Sequence, residues 1–185
     1  MVMVMRQMMH QEDWFGYTEN ELCQALTMPY GNGAYQMTIL LPREGKTVSD
    51  VVQTLTAETW ERHYRSMGNA IVDVKLPRFE SNTSIDLKEA MAALGMPDAF
   101  DPDKAEFPDF TSKPTYISLM KQVARIKVSE EGTEAAAVTV IENALTSIGE
   151  TPEPQHVVFH ADRPFLYVIS EMTTGTIFFI GQLMK

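Results

Sequence analysis

The sequence predicts an α+β fold in which mixed β-sheets are accompanied by a few helices. Several short runs alternate apolar and polar residues, other runs repeat with a helical period, and turn-forming residues separate them. The 185 residues include 44% hydrophobic and 22% charged residues, with 10 Gly and 10 Pro. This composition is typical of globular proteins, and the length suits one fair-sized core or two small ones.

The first predicted element is a strand within residues 1–11, where Met and Val alternate before Arg6. Two apolar runs follow between residues 21 and 41, and the tight-turn signal Gly31-Asn32-Gly33 separates them. This pattern predicts a β-hairpin. Because the chain opens in mid-strand without a cap or a leader, we expect it to continue something longer.

Helical periodicity predicts three helices. The first has Thr47 or Ser49 available as its N-cap. Its apolar face would consist of Val48, Val51, Val52 and Leu55. A second helix is predicted over about 56–67, and a short third one over 86–94, which has an acidic start and a glycine behind it.

The remaining apolar runs predict strands, and two segments between them predict connections. Strands are predicted over 70–79, 116–128, 157–159, 165–169 and 176–183. Residues 96–114 lack periodicity and predict an irregular connection. Residues 130–155 predict a long exposed loop, and loops of that length are usually functional.

Charge and hydropathy exclude two classes of partner. Fifteen Lys and Arg against 25 Asp and Glu give a formal net charge of −10, which would repel a nucleic acid. The longest apolar runs are far shorter than the roughly 18–20 residues that cross a bilayer. We therefore expect no nucleic acid and no membrane as partner.

A search for catalytic and metal-binding motifs predicts no enzyme. The nucleophile elbow, the phosphate-binding loop and the dinucleotide fingerprint do not occur in the sequence, and its four histidines do not have zinc-protease spacing. The single Cys23 is interpreted as a small buried thiol rather than a nucleophile. Asp162 and Arg163 are interpreted as a turn closed by a local ion pair. We expect no catalytic residue and no cofactor.

One metal hypothesis concerns the methionine-rich start of the chain. Its candidate ligands for Cu(I) are Met5, Met8, Met9 and His10. Apolar packing explains the same residues better, because methionine fills cores routinely. The pair His156 and His160 is a second, weaker candidate, since the two residues lie across an apolar strand. We therefore predict no metal site.

The segment 129–140 reads SEEGTEAAAVTV, and here the sequence resembles the serpin family, whose reactive loop begins with such a hinge. The resemblance extends to Arg163-Pro164-Phe165-Leu166 and Phe178-Phe179-Ile180-Gly181, which look like the C-terminal strands of the family. It also includes Leu76-Pro77-Arg78-Phe79 and Asp86-Leu87-Lys88, which look like its central region. The resemblance covers essentially the whole chain in collinear order, and we expect a bacterial-like member of the family.

The resemblance implies a serine protease inhibitor that acts as a suicide substrate. The protease cuts the loop, and the cut loop then inserts as a new strand of the main sheet. The implied hinge consists of Glu131, Gly132, Thr133, Glu134, Ala135, Ala136, Ala137 and Thr139. Alternation would send Thr133, Ala135, Ala137 and Thr139 to the face that must be buried, where short side chains limit the steric barrier.

Counting from the hinge glycine, as the resemblance implies, places the cleaved bond between Thr146 and Ser147. Ala144 and Leu145 would then fill neighbouring protease subsites. A small uncharged residue in the main pocket favours elastase-like or subtilisin-like proteases over trypsin-like ones, whose pocket requires Lys or Arg.

Two further assignments follow from the resemblance. Arg78 and Glu130 match the ion pair at the top of the main sheet, called the breach, where the loop first enters. Gln122 lies in the sheet-opening region, at a place where many members have a histidine.

The resemblance also implies that residues 1–185 form the C-terminal part of a single serpin domain, with the reactive loop at about 130–155 and the N-terminal half of the fold missing. The expected partners are a serine protease, bound as a covalent acyl complex by the full-length form, and the missing half. We expect the isolated fragment to be inactive and the full-length protein to be extracellular, periplasmic or on the cell surface. The alternative is a non-inhibitory fragment that serves as a protease substrate or self-associates.

Overall fold

A computed structural model describes residues 7–130 and 154–184. Their strands, numbered in chain order, are β1 (Met8–Glu19), β2 (Cys23–Tyr30), β3 (Tyr35–Pro42), β4 (Gly68–Pro77), β5 (Phe79–Asp86), β6 (Lys121–Val128), β7 (His156–His160), β8 (Phe165–Glu171) and β9 (Ile177–Leu183). The helices are α1 (Val48–Thr54), α2 (Ala57–Arg65), α3 (Lys88–Ala93) and a 3-10 turn at Asp98–Phe100. None of the helices in these two ranges is long and apolar enough to cross a membrane.

The chain divides into two compact units. The larger unit comprises Met1–Arg78 and Ser129–Lys185, and the smaller one Phe79–Val128. The larger unit contains a seven-stranded sheet in the order β7-β4-β1-β2-β3-β8-β9. Its strand pairs are antiparallel except for β4 and β7, which run parallel. The predicted α+β class with a mixed sheet is therefore confirmed.

The hairpin β2–β3 forms the centre of the larger unit. Seven of the eight residues of β3 are buried, which indicates cover on both faces of the sheet. The predicted turn is present, and Gly31 and Gly33 have φ values of 56° and 81°, which glycine adopts without a steric penalty. The predicted hairpin is confirmed.

The first helix packs its apolar side on this sheet. Thr47 forms a capping box with Asp50, in which each side chain accepts a hydrogen bond from the other residue's backbone N–H. Val48 and Val51 join Leu40 and Leu166 in one buried cluster. The prediction for Val52 is wrong: this residue is 46% exposed, because the helix contacts the sheet over a narrower face than the sequence pattern covers.

The second helix begins after the N-cap Thr56 and contacts the turn between β8 and β9. The indole Nε1 of its buried Trp60 donates a hydrogen bond of 3.0 Å to the carbonyl of Gly175. The first two predicted helices are therefore confirmed, and Thr47, one of the two candidates, caps the first.

The smaller unit contains an antiparallel pair, β5 and β6, which runs in register from Phe79 opposite Val128 to Asp86 opposite Lys121. The strand β5 was not predicted. Its last five residues are all exposed, so burial imposes no alternation on the sequence there. The third helix is confirmed, although it begins two residues later than predicted.

Candidate functional site

Arg78 and Glu130 form an ion pair in the larger unit. Nε and Nη2 of Arg78 donate to Oε1 of Glu130 over 2.8 and 2.5 Å, and its Nη1 donates to Oε1 of Gln7 over 2.7 Å. The backbone N–H of Arg78 also donates to the carbonyl of Gln7. The Arg78 guanidinium lowers the pKa of the Glu130 carboxyl below its usual value of 4.5. This pair therefore anchors the chain one residue before segment 131–153.

The strand β6 leads directly to this ion pair. Ala124, Ile126 and Val128 are the less exposed side chains along it, whereas Val123 is 75% exposed. Arg125 bonds Glu80 of the neighbouring strand over 2.9 Å. Gln122 is exposed and lies opposite Ile85. Within the described residues, β6 has β5 as its one neighbouring strand.

The hinge and the cleavage site predicted above lie outside the described residues. They are Glu131, Gly132, Thr133, Glu134, Ala135, Ala136, Ala137, Thr139, Ala144, Leu145, Thr146 and Ser147. Their assignments stay predictions.

The chain is anchored again just after this segment. The strand β7 pairs in parallel with β4 at the end of the seven-stranded sheet. Phe159 is fully buried, and the N–H of Ala161 donates to the carbonyl of Lys75 over 2.8 Å. Arg163 then bonds Asp162 over 3.1 Å and donates from Nε to the carbonyl of Pro42. The ion pair predicted for this turn is confirmed.

One cluster was missed by the sequence analysis. The carboxylate of Asp73 on β4 is bonded by two imidazoles: Oδ1 lies 2.7 Å from Nε2 of His10, and Oδ2 lies 3.0 Å from Nε2 of His160. These bonds lower the pKa of Asp73, and the bond from His160 has the larger effect. No sequence motif marks the cluster, because its members come from three strands.

The nucleophile and metal alternatives receive no support from the described residues. Cys23 is 1% exposed, and burial raises the pKa of its thiol to about 11, so the reactive thiolate is disfavoured. Met5 lies outside the described residues, Met8 is 41% exposed, and His10 bonds Asp73. Across residues 7–130 and 154–184, no three His, Cys, Asp or Glu side chains are arranged to hold a metal ion.

The glycine of the C-terminal sequence Phe179-Ile180-Gly181 has a clear packing reason. Gly181 on β9 lies directly opposite the buried Tyr167 on β8. A Cβ atom on residue 181 would overlap the phenol ring and hydroxyl of Tyr167. Glycine at residue 181 thus leaves free the space that this ring occupies.

Comparison with known proteins gives a consistent result. The family model described as Serpin (serine protease inhibitor) matches residues 2–185. The chain is 33% identical to mouse antithrombin-III over 180 residues, which is 95% of the chain and 38% of that protein. It is 36% identical to an uncharacterized serpin-like protein of Thermococcus kodakarensis over 182 residues, 96% of the chain and 41% of that protein.

Solved structures agree with these matches. The native state of the thermophilic serpin tengpin superposes with a TM-score of 0.79 at 29% identity, over 97% of the chain and 46% of that structure. A tumour suppressing serpin has the same fold, with a TM-score of 0.78 at 24% identity. The chain thus spans less than half the length of the relatives it matches.

Proposed function

Because the chain belongs to the serpin family, we propose that it carries the protease bait of an inhibitor that acts as a suicide substrate. The observation that carries this proposal is the ion pair between Arg78 and Glu130, which anchors the chain immediately before segment 131–153. The parallel pairing of β7 with β4 anchors it again shortly after the segment. A segment held at both ends can be presented to a protease while the sheet stays intact.

The proposed reaction with the protease is acyl transfer. The serine hydroxyl of the protease attacks the carbonyl carbon of Thr146, and the bond between Thr146 and Ser147 breaks. The serine becomes esterified to Thr146, and its proton passes through the histidine of the protease to the new amine of Ser147. Inhibition requires that the loop inserts faster than this ester is hydrolysed.

The composition of the proposed hinge suits insertion. Thr133, Ala135 and Ala137 would point to one face of the new strand, and their short side chains can pass between two existing strands. Glu134 would point to the opposite face, where water can reach its charge. An arginine at residue 133 would have to be buried without a partner, which costs several kcal/mol and should block insertion.

We further propose that the isolated chain is cut without trapping the protease. An inserting strand needs a neighbouring strand to pair with on each side. The backbone edge of β6 would supply one of these two neighbours. The second neighbouring strand would belong to the part of the matched relatives that lies outside the region they share with this chain. Without this second neighbouring strand, hydrolysis of the acyl ester should be faster than insertion of the loop.

Incubation of the chain with pancreatic elastase, followed by denaturing electrophoresis, tests these proposals. We expect two fragments and no covalent adduct, and we expect trypsin, the matched control, to cut this segment more slowly. An adduct that survives denaturation would overturn the proposed inactivity of the isolated chain. Absence of any cut within residues 130–155 would overturn the proposed bait.

A second candidate function is self-association. Val123 on β6 is 75% exposed, and Phe178, Phe179 and Ile180 on β9 are each about half exposed. Apolar edge strands of this kind pair readily with other chains. Sedimentation velocity of the chain over a range of concentrations should then show species larger than a monomer, and a single monomeric species at high concentration would exclude this function.

A further inference from the structure

We propose that Asp73, His10 and His160 form a proton-sensitive clamp that fastens β7 to the sheet. This inference does not depend on the proposed protease chemistry. It concerns how firmly the strand after segment 131–153 is held, and it assigns to Asp73 a role as a positioning residue.

The geometry places one carboxylate between two imidazoles on three adjacent strands. Asp73 lies on β4, and each of its oxygens bonds a different histidine, His10 on β1 at 2.7 Å and His160 on β7 at 3.0 Å. The strand order β7-β4-β1 makes Asp73 the central member. Breaking its bond to His160 therefore removes a side-chain link between β7 and the rest of the sheet.

The strand β7 depends on such links more than the other strands do. It has five residues, lies at one end of the sheet and pairs in parallel, which is slightly less stable per residue than antiparallel pairing. A second side-chain link comes from Gln24, whose Nε2 donates to the carbonyl of Val158 over 3.2 Å. This second link carries no titratable group, so of these two described links the one from Asp73 is the one that can respond to protons.

The response to protons follows from the charges. A neutral imidazole donates one N–H to the carboxylate, whereas an imidazolium makes the same bond between opposite charges, which is stronger. Acidification into the range in which histidine ordinarily gains its proton therefore tightens the clamp, as long as Asp73 stays ionised. The lowered pKa of Asp73 keeps it ionised throughout the range in which histidine ordinarily gains its proton.

The other charged groups on this face do not remove the effect. Glu12 lies opposite Asp73 and adds a second negative charge to this face. Lys75 lies opposite both His10 and His160 and adds a positive charge, but its ammonium is on a long flexible stem that can extend into water. His156 lies at the far end of β7 and faces Ile71.

Hydrogen–deuterium exchange of the 185-residue chain tests the clamp, with EDTA present and with the intrinsic exchange rate corrected for pH. The readout is the protection of the backbone amides of β7, compared at about pH 5.5 and about pH 7.5. We expect about threefold more protection at the lower pH, which is the gain of a charge-assisted hydrogen bond over a neutral one. The peptide from β8, whose residues are mostly buried, reports whether the fold as a whole is unchanged.

Variants separate the clamp from a merely structural role. Asp73→Asn and His160→Gln should abolish the gain at low pH, whereas His10→Gln should retain most of it because the bond to β7 remains. Gln24→Ala is the matched control: it should lower protection of β7 equally at both pH values and leave their ratio unchanged. If Asp73→Asn keeps the wild-type ratio, or if the wild type shows no gain at low pH, the inference is wrong.

Discussion

Arg78 and Glu130 are joined by two hydrogen bonds from one guanidinium to one carboxylate oxygen, although they lie 52 residues apart in the sequence. Arg78 precedes the first residue of β5, and Glu130 follows the last residue of β6 by two. The pair thus ties together the two chain segments that flank the antiparallel hydrogen-bonded pair β5–β6. It also fixes the point from which the proposed bait segment departs.

We expect the Arg78→Gln substitution to raise the pKa of Glu130 towards its usual value of 4.5, because the guanidinium is the main cause of its depression. NMR titration of the side-chain carboxyls measures this change. Glu80 is the matched control, because its depressed pKa is caused by Asn82 and then by Arg125. An unchanged pKa of Glu130 in the variant would contradict the importance of this pair.

The same pair predicts the sign of one pH effect on stability. A carboxyl whose pKa is lowered by folding stabilises the folded state above its unfolded-state pKa, and this contribution is lost as the pH falls through the folded-state value. In urea unfolding, the difference between wild type and Glu130→Gln should therefore be present near neutral pH and shrink in acid. A difference that grows in acid would have the wrong sign.

We expect Gly181→Ala to destabilise the chain by about 1–3 kcal/mol, the usual cost of inserting a methyl group into a filled space. The added Cβ would overlap the ring of Tyr167, which is buried and has little freedom to move. Gly68→Ala is the matched control, since its Cβ would have an ordinary contact of 3.9 Å with the carbonyl of Tyr17. Equal denaturation midpoints for both variants would refute this packing argument.

The proposed cleavage site predicts a change of protease specificity. Thr146→Arg should create a trypsin site, because the trypsin pocket requires a basic residue there, and should slow the cut by elastase at this bond. Thr146→Gln is the matched control, since it lengthens the same side chain without adding the charge that trypsin requires. If trypsin cuts Thr146→Arg no faster within 130–155 than it cuts the wild type, the assigned bond is wrong.

Much of the fold was predictable because burial leaves a pattern in the sequence. The hairpin β2–β3 is buried on both sides of a glycine turn, and α1 follows a capping threonine. In contrast, β5 lacks a pattern because its last five residues are all exposed, so burial imposes no alternation of apolar and polar residues there. Its strand conformation is determined by hydrogen bonding to β6, which no local propensity reveals.

The candidate site was predictable in part, but for a different reason. The pair Arg78–Glu130 was found through resemblance to a family motif. The cluster around Asp73 was not found, because it depends on the register that places His10 and His160 opposite Lys75 on either side of β4. Register between strands that are distant in sequence is set by packing of the whole sheet.

The central claim is that residues 130–155 are the protease bait, and the first cut made by elastase tests it most directly. Limited digestion of the native chain, with intact masses measured at the earliest times, identifies that bond. The account predicts two fragments, 1–146 and 147–185, with a displacement of at most one or two residues. A first cut outside residues 130–155, in particular within β1 to β6, would contradict it.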